Sequence, residues 1–217
     1  MHQSINKLVS IEDTLKKENI GLNKINIIAV SKTFPISEIS PLINYQQIHF
    51  GENKVQEAIK KWTEIKQDFK HIKLHMIGKL QSNKVKFVIP LFDYIHSLDS
   101  LKLAKKISEE QNKISKRLKI FIQINIGNEE QKNGIEEIEL EEFYKKCVTD
   151  FDLDIIGLMC LPPKHSDSKE YCLKMKNLAK KINVKELSMG MSNDYLEAAK
   201  CGATFLRIGS KIFGKRY

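Results

Sequence analysis

A lysine stands where the first strongly apolar run of the chain ends. The stretch INIIAVSKTF (residues 25–34) is apolar from Ile25 to Val30, turns polar at Ser31, and places Lys32 where a buried strand should be finishing. An ammonium held at a low-dielectric rim loses hydration, which lowers its pKa and leaves more free amine to attack a carbonyl carbon. The plainer reading is an amine that leaves the strand and reaches water along its own aliphatic stem. Near the other end, SMGMSNDYLEAAKCGATFLRIGSKIFGKR (188–216) sets Ser192 before one helical stretch and Gly209–Ser210 before another. Exposed N–H groups and the positive ends of helix dipoles at neighbouring helix starts make a pocket for an anion such as phosphate. As ordinary N-caps, the two serines would need no ligand. Arg207 lies inside the apolar run Thr204–Ile208, in a chain that otherwise nearly always chooses lysine. A guanidinium there requires partners. Its rigid donors suit a ligand's ring nitrogen or acid group, or else a salt bridge to a neighbouring carboxylate.

These residues need a scaffold that brings the two ends of the chain together. Apolar, β-branched runs alternate with longer stretches of helical period. Strands are expected near Ile25–Ser31, Ile48–Phe50, Ile72–Ile77, Tyr94–Ser97, Leu118–Ile124, Ile155–Met159, Glu186–Ser188 and Thr204–Ile208. An opening helix is expected over Gln3–Glu18, with Ile5, Leu8, Val9, Ile11 and Leu15 on roughly one face and Gly21 after its end. Further helices are expected near Ser37–Tyr45, Lys54–Gln67, Ser82–Val88, Leu101–Gln111, Ile138–Val148, Ser168–Lys181 and Asp194–Lys200. The i, i+3, i+4 recurrence of Val55, Ile59, Trp62 and Ile65 is of this kind.

Strict alternation of strand and helix implies a parallel sheet covered by helices, and about eight strands closes a (β/α)₈ barrel. The rival is an open doubly wound sheet, but no Gly-rich dinucleotide fingerprint follows the first strand. The expected fold is a single (β/α)₈ TIM barrel with an extra N-terminal helix. With no repeat, low-complexity segment or Pro/Gly-rich linker, residues 1–217 are expected to form one domain. Chemistry in such a barrel sits at the carboxyl ends of the strands. That singles out Ser31–Lys32, Gly51–Glu52–Asn53, Gly78, Ser97, Asn125, Met159, Ser188–Asn193 and Arg207–Ser210.

Composition narrows the function classes. The longest apolar runs, around Ile27–Val30 and Phe87–Phe92, are far shorter than the roughly 18 to 20 residues of a membrane span, and MHQSINKLVS lacks the apolar centre of a signal peptide. A cytoplasmic, non-membrane protein is expected. Cys147, Cys160, Cys172 and Cys201 contain no CxxC pair, so neither a zinc site nor a disulfide framework is indicated. A net charge of +9 raises nucleic-acid binding as a possibility. Against it, only Arg117, Arg207 and Arg216 are arginine, and the lysines are interleaved with Glu and Asp along amphipathic stretches. No nucleic-acid partner is expected. His71 and His75 are not a metal pair: four residues apart on a strand, they would stand about 13 Å apart.

Seven ordered motifs then resemble a known family. VSKTF around Lys32, HFGENKVQE (49–57), HMIGKLQSNK (75–84), IQINIGNEEQKNGI (122–135), IGLMCLP (156–162), LSMGMSNDY (187–195) and RIGSKIFGKR (207–216) are together similar to the pyridoxal phosphate homeostasis proteins. The resemblance implies a barrel of fold type III, like the barrel domain of alanine racemase, that binds pyridoxal 5′-phosphate as a Schiff base on Lys32. It implies that Ser192, Gly209 and Ser210 hold the cofactor phosphate, that Arg207 faces the pyridine nitrogen, and that Asn53 lines the pocket, although a turn-forming Asn would read the same way. It further implies a role in keeping vitamin B6 and amino-acid pools balanced, with apo forms of cofactor-dependent enzymes as partners and a monomeric state.

Departures from the family pattern are Lys79 where proline usually follows the glycine, Ser210 in place of the usual threonine, and Lys54 where an aromatic residue is common. Catalysis is a separate matter. Racemases of this fold type draw a second base from an additional domain and a partner subunit, and this chain ends a few residues after its last expected strand. Little or no turnover is therefore expected. The alternative is a pyridoxal-phosphate-dependent amino-acid racemase or related enzyme.

Overall fold

Ile27, Ile28, Ala29 and Val30 are all buried, as a strand covered on both faces requires, and they form β1 (Asn26–Val30). Seven more strands follow, each after a helix: β2 (His49–Glu52), β3 (Lys73–Met76), β4 (Tyr94–Leu98), β5 (Lys119–Ile124), β6 (Asp154–Cys160), β7 (Glu186–Ser188) and β8 (Phe205–Ile208). All eight pair in parallel and in chain order, and β8 returns to β1 with Asn26 opposite Phe205 and Ala29 opposite Ile208. The sheet is a closed barrel, which leaves no strand edge unpaired. This computed structural model describes residues 2–127, 129, 133–163 and 168–214. Residues 128 and 130–132 of the fourth motif and 215–216 of the last, Arg216 included, lie outside them.

The helices are α1 (Gln3–Lys17), α2 (Ile36–Asn44), α3 (Val55–Asp68), α4 (Val85–Leu91), α5 (Leu101–Ile114), α6 (Leu140–Thr149), α7 (Ser168–Lys181), α8 (Tyr195–Lys200) and α9 (Ser210–Phe213). The additional N-terminal helix is present: α1 buries Ile5, Leu8, Ile11 and Leu15 of the face its spacing predicts, with Val9 only partly buried. Each such side chain contributes about 1.5–3 kcal/mol on burial. α1 packs on α2 and α9, the helices that follow the first and last strands, and so lies beside the seam where the barrel closes.

Two expectations needed correction. The second strand runs to Glu52 rather than stopping at Phe50, because Gly51 and Glu52, poor strand formers alone, pair with His75 and Met76 of β3. The helix expected over 82–88 is a 3₁₀ turn (Ser82–Lys84) followed by α4, which runs on through Pro90.

Side-chain alternation divides the interior. One face of the strands meets the helices in a large apolar core that includes Phe50, Trp62, Leu74, Ile122 and Leu206. The other face points into the barrel, where Ile28, Val30, Tyr94, Phe121, Met159 and Phe205 cluster. Trp62, fully buried on α3, packs its indole against Phe50 with ring centroids 4.9 Å apart.

Candidate functional site

Lys32 leaves the end of β1 half-buried, on a backbone held from both sides. Ser31 continues the β1–β2 ladder by donating its N–H to the Gly51 carbonyl at 3.0 Å. Its hydroxyl donates to Glu52 Oε1 at 2.8 Å, and its carbonyl accepts from Lys61 Nζ at 2.9 Å. Glu52 is a fully buried carboxylate, and its Oε1 also accepts from Lys61 Nζ at 2.9 Å and from the Trp62 indole N–H at 3.0 Å. On the other side, Thr33 has φ of 70°, a left-handed conformation costly for a β-branched residue. The Thr33 N–H donates to Glu57 Oε1 at 2.6 Å, and Glu57 pairs with Lys61 at 2.8 Å. Three residues of α3 thus fix where Lys32 starts.

The second half of the site comes from the loops after β7 and β8. Gly190 has φ of 84°, and a Cβ there would stand 2.6 Å from the Ala198 Cβ, so this turn against α8 needs glycine. Asp194 folds back, its Oδ1 accepting from the Met191 N–H at 2.7 Å, and thereby presents Ser192 and Asn193. The sequence reading of Ser192 as the cap of the following helix is not what forms: Asp194 stands at the N-cap of α8. The Ser192 hydroxyl instead accepts from the Gly209 N–H at 3.3 Å and the Lys211 N–H at 3.2 Å. These amides face the turn because Gly209 opens α9. With its oxygen held by two amides, the Ser192 hydroxyl keeps its own hydrogen to donate, which suits an anionic oxygen.

Arg207 is buried in β8, 4% exposed, and its partners are not carboxylates. Nη1 donates to the Ser188 carbonyl and hydroxyl, each at 2.6 Å, and Nη2 donates to the Cys160 carbonyl at 2.8 Å. Burial pulls its pKa below the ordinary arginine value, opposed by Cys160 and Asp194. Among the described residues no acceptor meets Nε–H or the second Nη2 hydrogen. Those donors remain for a ligand.

Lys32, Arg207 and the turns after β7 and β8 border one cavity of about 690 Å³ at the carboxyl ends of the strands. Lys32, Asn53, Ser192, Arg207, Gly209 and Ser210, the six residues singled out above, are all on its wall. Gly78, with Asn53 beside it, and Lys79, whose Nζ donates to Asn133 Oδ1 at 2.6 Å, are there as well. The buried Asn53 Oδ1 has no hydrogen-bond partner, an acceptor left for an incoming donor. Lys54, one of the departures from the family pattern, is exposed at the start of α3 and is not on the wall. Ser31, Glu52, Ser97, Asn125, Met159 and Ser188 also lie off it, and several act from behind. Sequence reasoning missed Gln123, whose amide donates to the Asn133 carbonyl at 2.8 Å. A polar residue at an inward position of an otherwise apolar strand was its only signal.

The histidines form contacts that the sequence reading did not address. His71 is exposed before β3, its ring edge-on to Phe69, and takes no part in the site. His75 is fully buried and bonded to His49 and His96, at 2.9 Å each. Among the described residues no cluster of three or more His, Cys, Asp or Glu side chains could hold a metal ion. Burial pushes His49 down to about 4, with Lys73 acting the same way and Asp93 against. Burial likewise holds His75 and His96 well below 6.5. The folded chain keeps these rings neutral, whereas the unfolded chain takes up protons below about pH 6.5. Their contribution to stability is therefore complete above that pH and is lost as pH falls toward 4. Urea midpoints should decline over this window, with a shallower decline in His49→Gln; a midpoint flat from pH 6.5 to 4 would contradict it.

The fold and this cavity define a class: a parallel eight-stranded barrel presenting a lysine amine, a buried arginine and an anion-receiving turn at its carboxyl mouth. The family described as alanine racemase, N-terminal domain, matches residues 15–217. The chain is 37% identical over 216 residues to the pyridoxal phosphate homeostasis protein of Haemophilus influenzae, covering 95% of this chain and 91% of the relative. It is 35% identical to the protein of the same name from Escherichia coli K12, covering 89% and 86%. Among solved structures, PipY of Synechococcus elongatus PCC7942 with PLP bound superposes with a TM-score of 0.87 at 30% identity, over 98% of this chain and all of that one. An alanine racemase of Clostridium difficile 630 shares the fold, with a TM-score of 0.75 at 16% identity, over 98% of this chain and 56% of that one. The chain belongs to the pyridoxal phosphate homeostasis protein family, within the alanine racemase N-terminal-domain barrels.

Proposed function

We propose that this protein binds pyridoxal 5′-phosphate in the cavity at the mouth of the barrel and serves in the intracellular homeostasis of that cofactor and of amino acids, without turning over a substrate of its own. The observation that carries the reading is the convergence of Lys32, Asn53, Ser192, Arg207, Gly209 and Ser210 on one cavity wall. A relative bearing this family's fold holds PLP. When bound, the cofactor supplies an aldehyde that condenses with a primary amine and a ring that withdraws electrons.

Lys32 is the amine, and the α3 contacts that fix Ser31 and Thr33 set where its stem begins. The Ser192 hydroxyl, with its oxygen held by the Gly209 and Lys211 amides, would donate its own hydrogen to the phosphate, with Gly209 and Ser210 beside it on the wall. Arg207, with Nη1 and one Nη2 hydrogen engaged by Ser188 and Cys160, would turn its remaining donors to the ring nitrogen. A guanidinium gives up its proton far less readily than a carboxylic acid does, so it holds the ring nitrogen as an acceptor instead of protonating it. That weakens the ring as an electron sink and favours holding the cofactor over racemising an amino acid. The unpartnered Asn53 Oδ1 offers one further acceptor on the wall.

Residues 1–217 act as one domain in this reading, as a cytoplasmic monomer, with cofactor-dependent apo-enzymes receiving what it releases. No helix among the described residues is long and apolar enough to cross a membrane. The deciding experiment titrates purified protein with pyridoxal 5′-phosphate and follows the visible absorption band, alongside chiral analysis of alanine and serine incubated with the loaded protein. A saturable one-to-one band with no racemisation is expected. Failure to develop the band refutes binding, and multiple turnovers of either amino acid establish the racemase alternative.

A further inference from the structure

The interior of TIM barrels is ordinarily filled by branched aliphatic side chains. Here it holds a line of imidazoles. His49 Nδ1 lies 2.9 Å from His75 Nε2, His75 Nδ1 lies 2.9 Å from His96 Nε2, and His96 Nδ1 lies 2.8 Å from the Ser188 hydroxyl, which in turn meets Arg207 Nη1 at 2.6 Å. The two inner rings are packed flat on aromatic neighbours: His75 on Tyr94 with centroids 4.2 Å apart and planes 12° apart, His96 on Phe121 at 4.3 Å and 19°. Both are fully buried. Polar groups so enclosed are costly unless each nitrogen finds its partner.

The partners fix who donates. Arginine has donors only, so Nη1 gives its hydrogen to the Ser188 oxygen. Ser188 Oγ could accept a second bond, but its own buried hydrogen would then have no acceptor among the described residues, so that hydrogen goes to His96 Nδ1. A neutral His96 that accepts at Nδ1 carries its hydrogen on Nε2, which donates to His75 Nδ1. By the same step His75 donates from Nε2 to His49 Nδ1. We infer that Arg207, Ser188, His96, His75 and His49 form one hydrogen-bond chain of fixed polarity, and that His96, acting through Ser188, is a positioning residue that keeps the Arg207 guanidinium directed at the cavity. The chain ends at His49, half-buried at the amino end of β2, so it runs from the cavity to the opposite end of the barrel. Its polarity stands on the hydrogen bonds alone. The positioning role rests on reading Arg207 as the partner of the cofactor ring.

Two measurements separate these parts. In full-length protein labelled with nitrogen-15 histidine, two-bond proton–nitrogen correlation spectra at pH 7 should show His49, His75 and His96 neutral and protonated on Nε2. Arg207→Gln removes the donor-only anchor, so His96, itself unchanged and fully buried, should become a mixture of tautomers. A purely structural role would lower the unfolding midpoint without moving tautomers. An Nδ1–H His96 in the parent protein overturns the polarity, and an unaltered pure Nε2–H tautomer in Arg207→Gln overturns Arg207 as the anchor that sets it. For positioning, protein loaded with pyridoxal 5′-phosphate is compared across two variants. His96→Leu takes away the acceptor for Ser188 and should shift the visible band and its pH titration, and His96→Asn, which places an oxygen near the lost Nδ1, should restore both. An unshifted band in folded His96→Leu, or no restoration in His96→Asn, defeats the positioning role. A parent protein that never binds the cofactor defeats the functional reading instead, while the tautomer spectra still decide the polarity.

Discussion

Lys32→Ala is expected to eliminate all covalent capture of pyridoxal 5′-phosphate: no borohydride-stable adduct by mass spectrometry and no visible absorption band. Residual binding should survive, because in the proposed mode Ser192, Gly209, Ser210 and the guanidinium of Arg207 also hold the cofactor and their places on the wall do not depend on the amine. A weakening of at least about tenfold, which is about 1.4 kcal/mol, is expected in equilibrium dialysis. The unfolding midpoint should barely move, since Lys32 is only half-buried and its neighbours Ser31 and Thr33 are anchored through their own contacts. Borohydride-stable labelling of the variant at another lysine would show that the amine had been assigned to the wrong residue.

The largest loss of stability is expected at Trp62. Truncating this fully buried indole to alanine removes its packing on Phe50 and one of three donors to the buried Glu52 carboxylate. A cost of about 3–5 kcal/mol follows from the cavity, and stranding a buried charge with fewer donors adds to it. Trp62→Phe, which keeps most of the volume and forfeits the N–H, should cost roughly 1.5–3 kcal/mol. Urea titrations followed by circular dichroism measure both. Equal losses in the two variants would mean that the hydrogen bond to Glu52, and not the packing, dominates. Because Glu52 also takes the Ser31 hydroxyl, both variants should slow cofactor capture at Lys32, where a purely global destabilisation would leave the rate of the folded fraction unchanged.

The barrel was legible because alternation of apolar runs and helical periods is a property of many residues at once, and no single exception disturbs it. Glu186–Ser188 and Ser168–Lys181 fall where the pattern puts them. What escaped was decided by partners far away in the sequence. Gly51 and Glu52 are extended because β3 pairs with them. Ser192 passes over its own helix to serve amides 17 and 19 positions on. The same blindness hid the imidazole line: His49, His75 and His96 lie 26 and 21 residues apart on successive strands, a spacing without local meaning. The visible signal was an imidazole inside each of the runs HFGE, KLHM and YIHSL, where an aliphatic side chain would have been the cheaper filling.

The seam between β1 and β8 joins residues about 180 positions apart, and the cavity straddles it, with Lys32 contributed from one side and Ser192, Arg207 and Gly209 from the other. During synthesis the amine therefore emerges long before anything that could direct an aldehyde to it. In the proposed mode, a ribosome-bound chain lacking its last strand has Lys32 but no completed cavity around it. Cofactor capture in that mode would read out completed closure, because both sides of the seam supply the cavity wall.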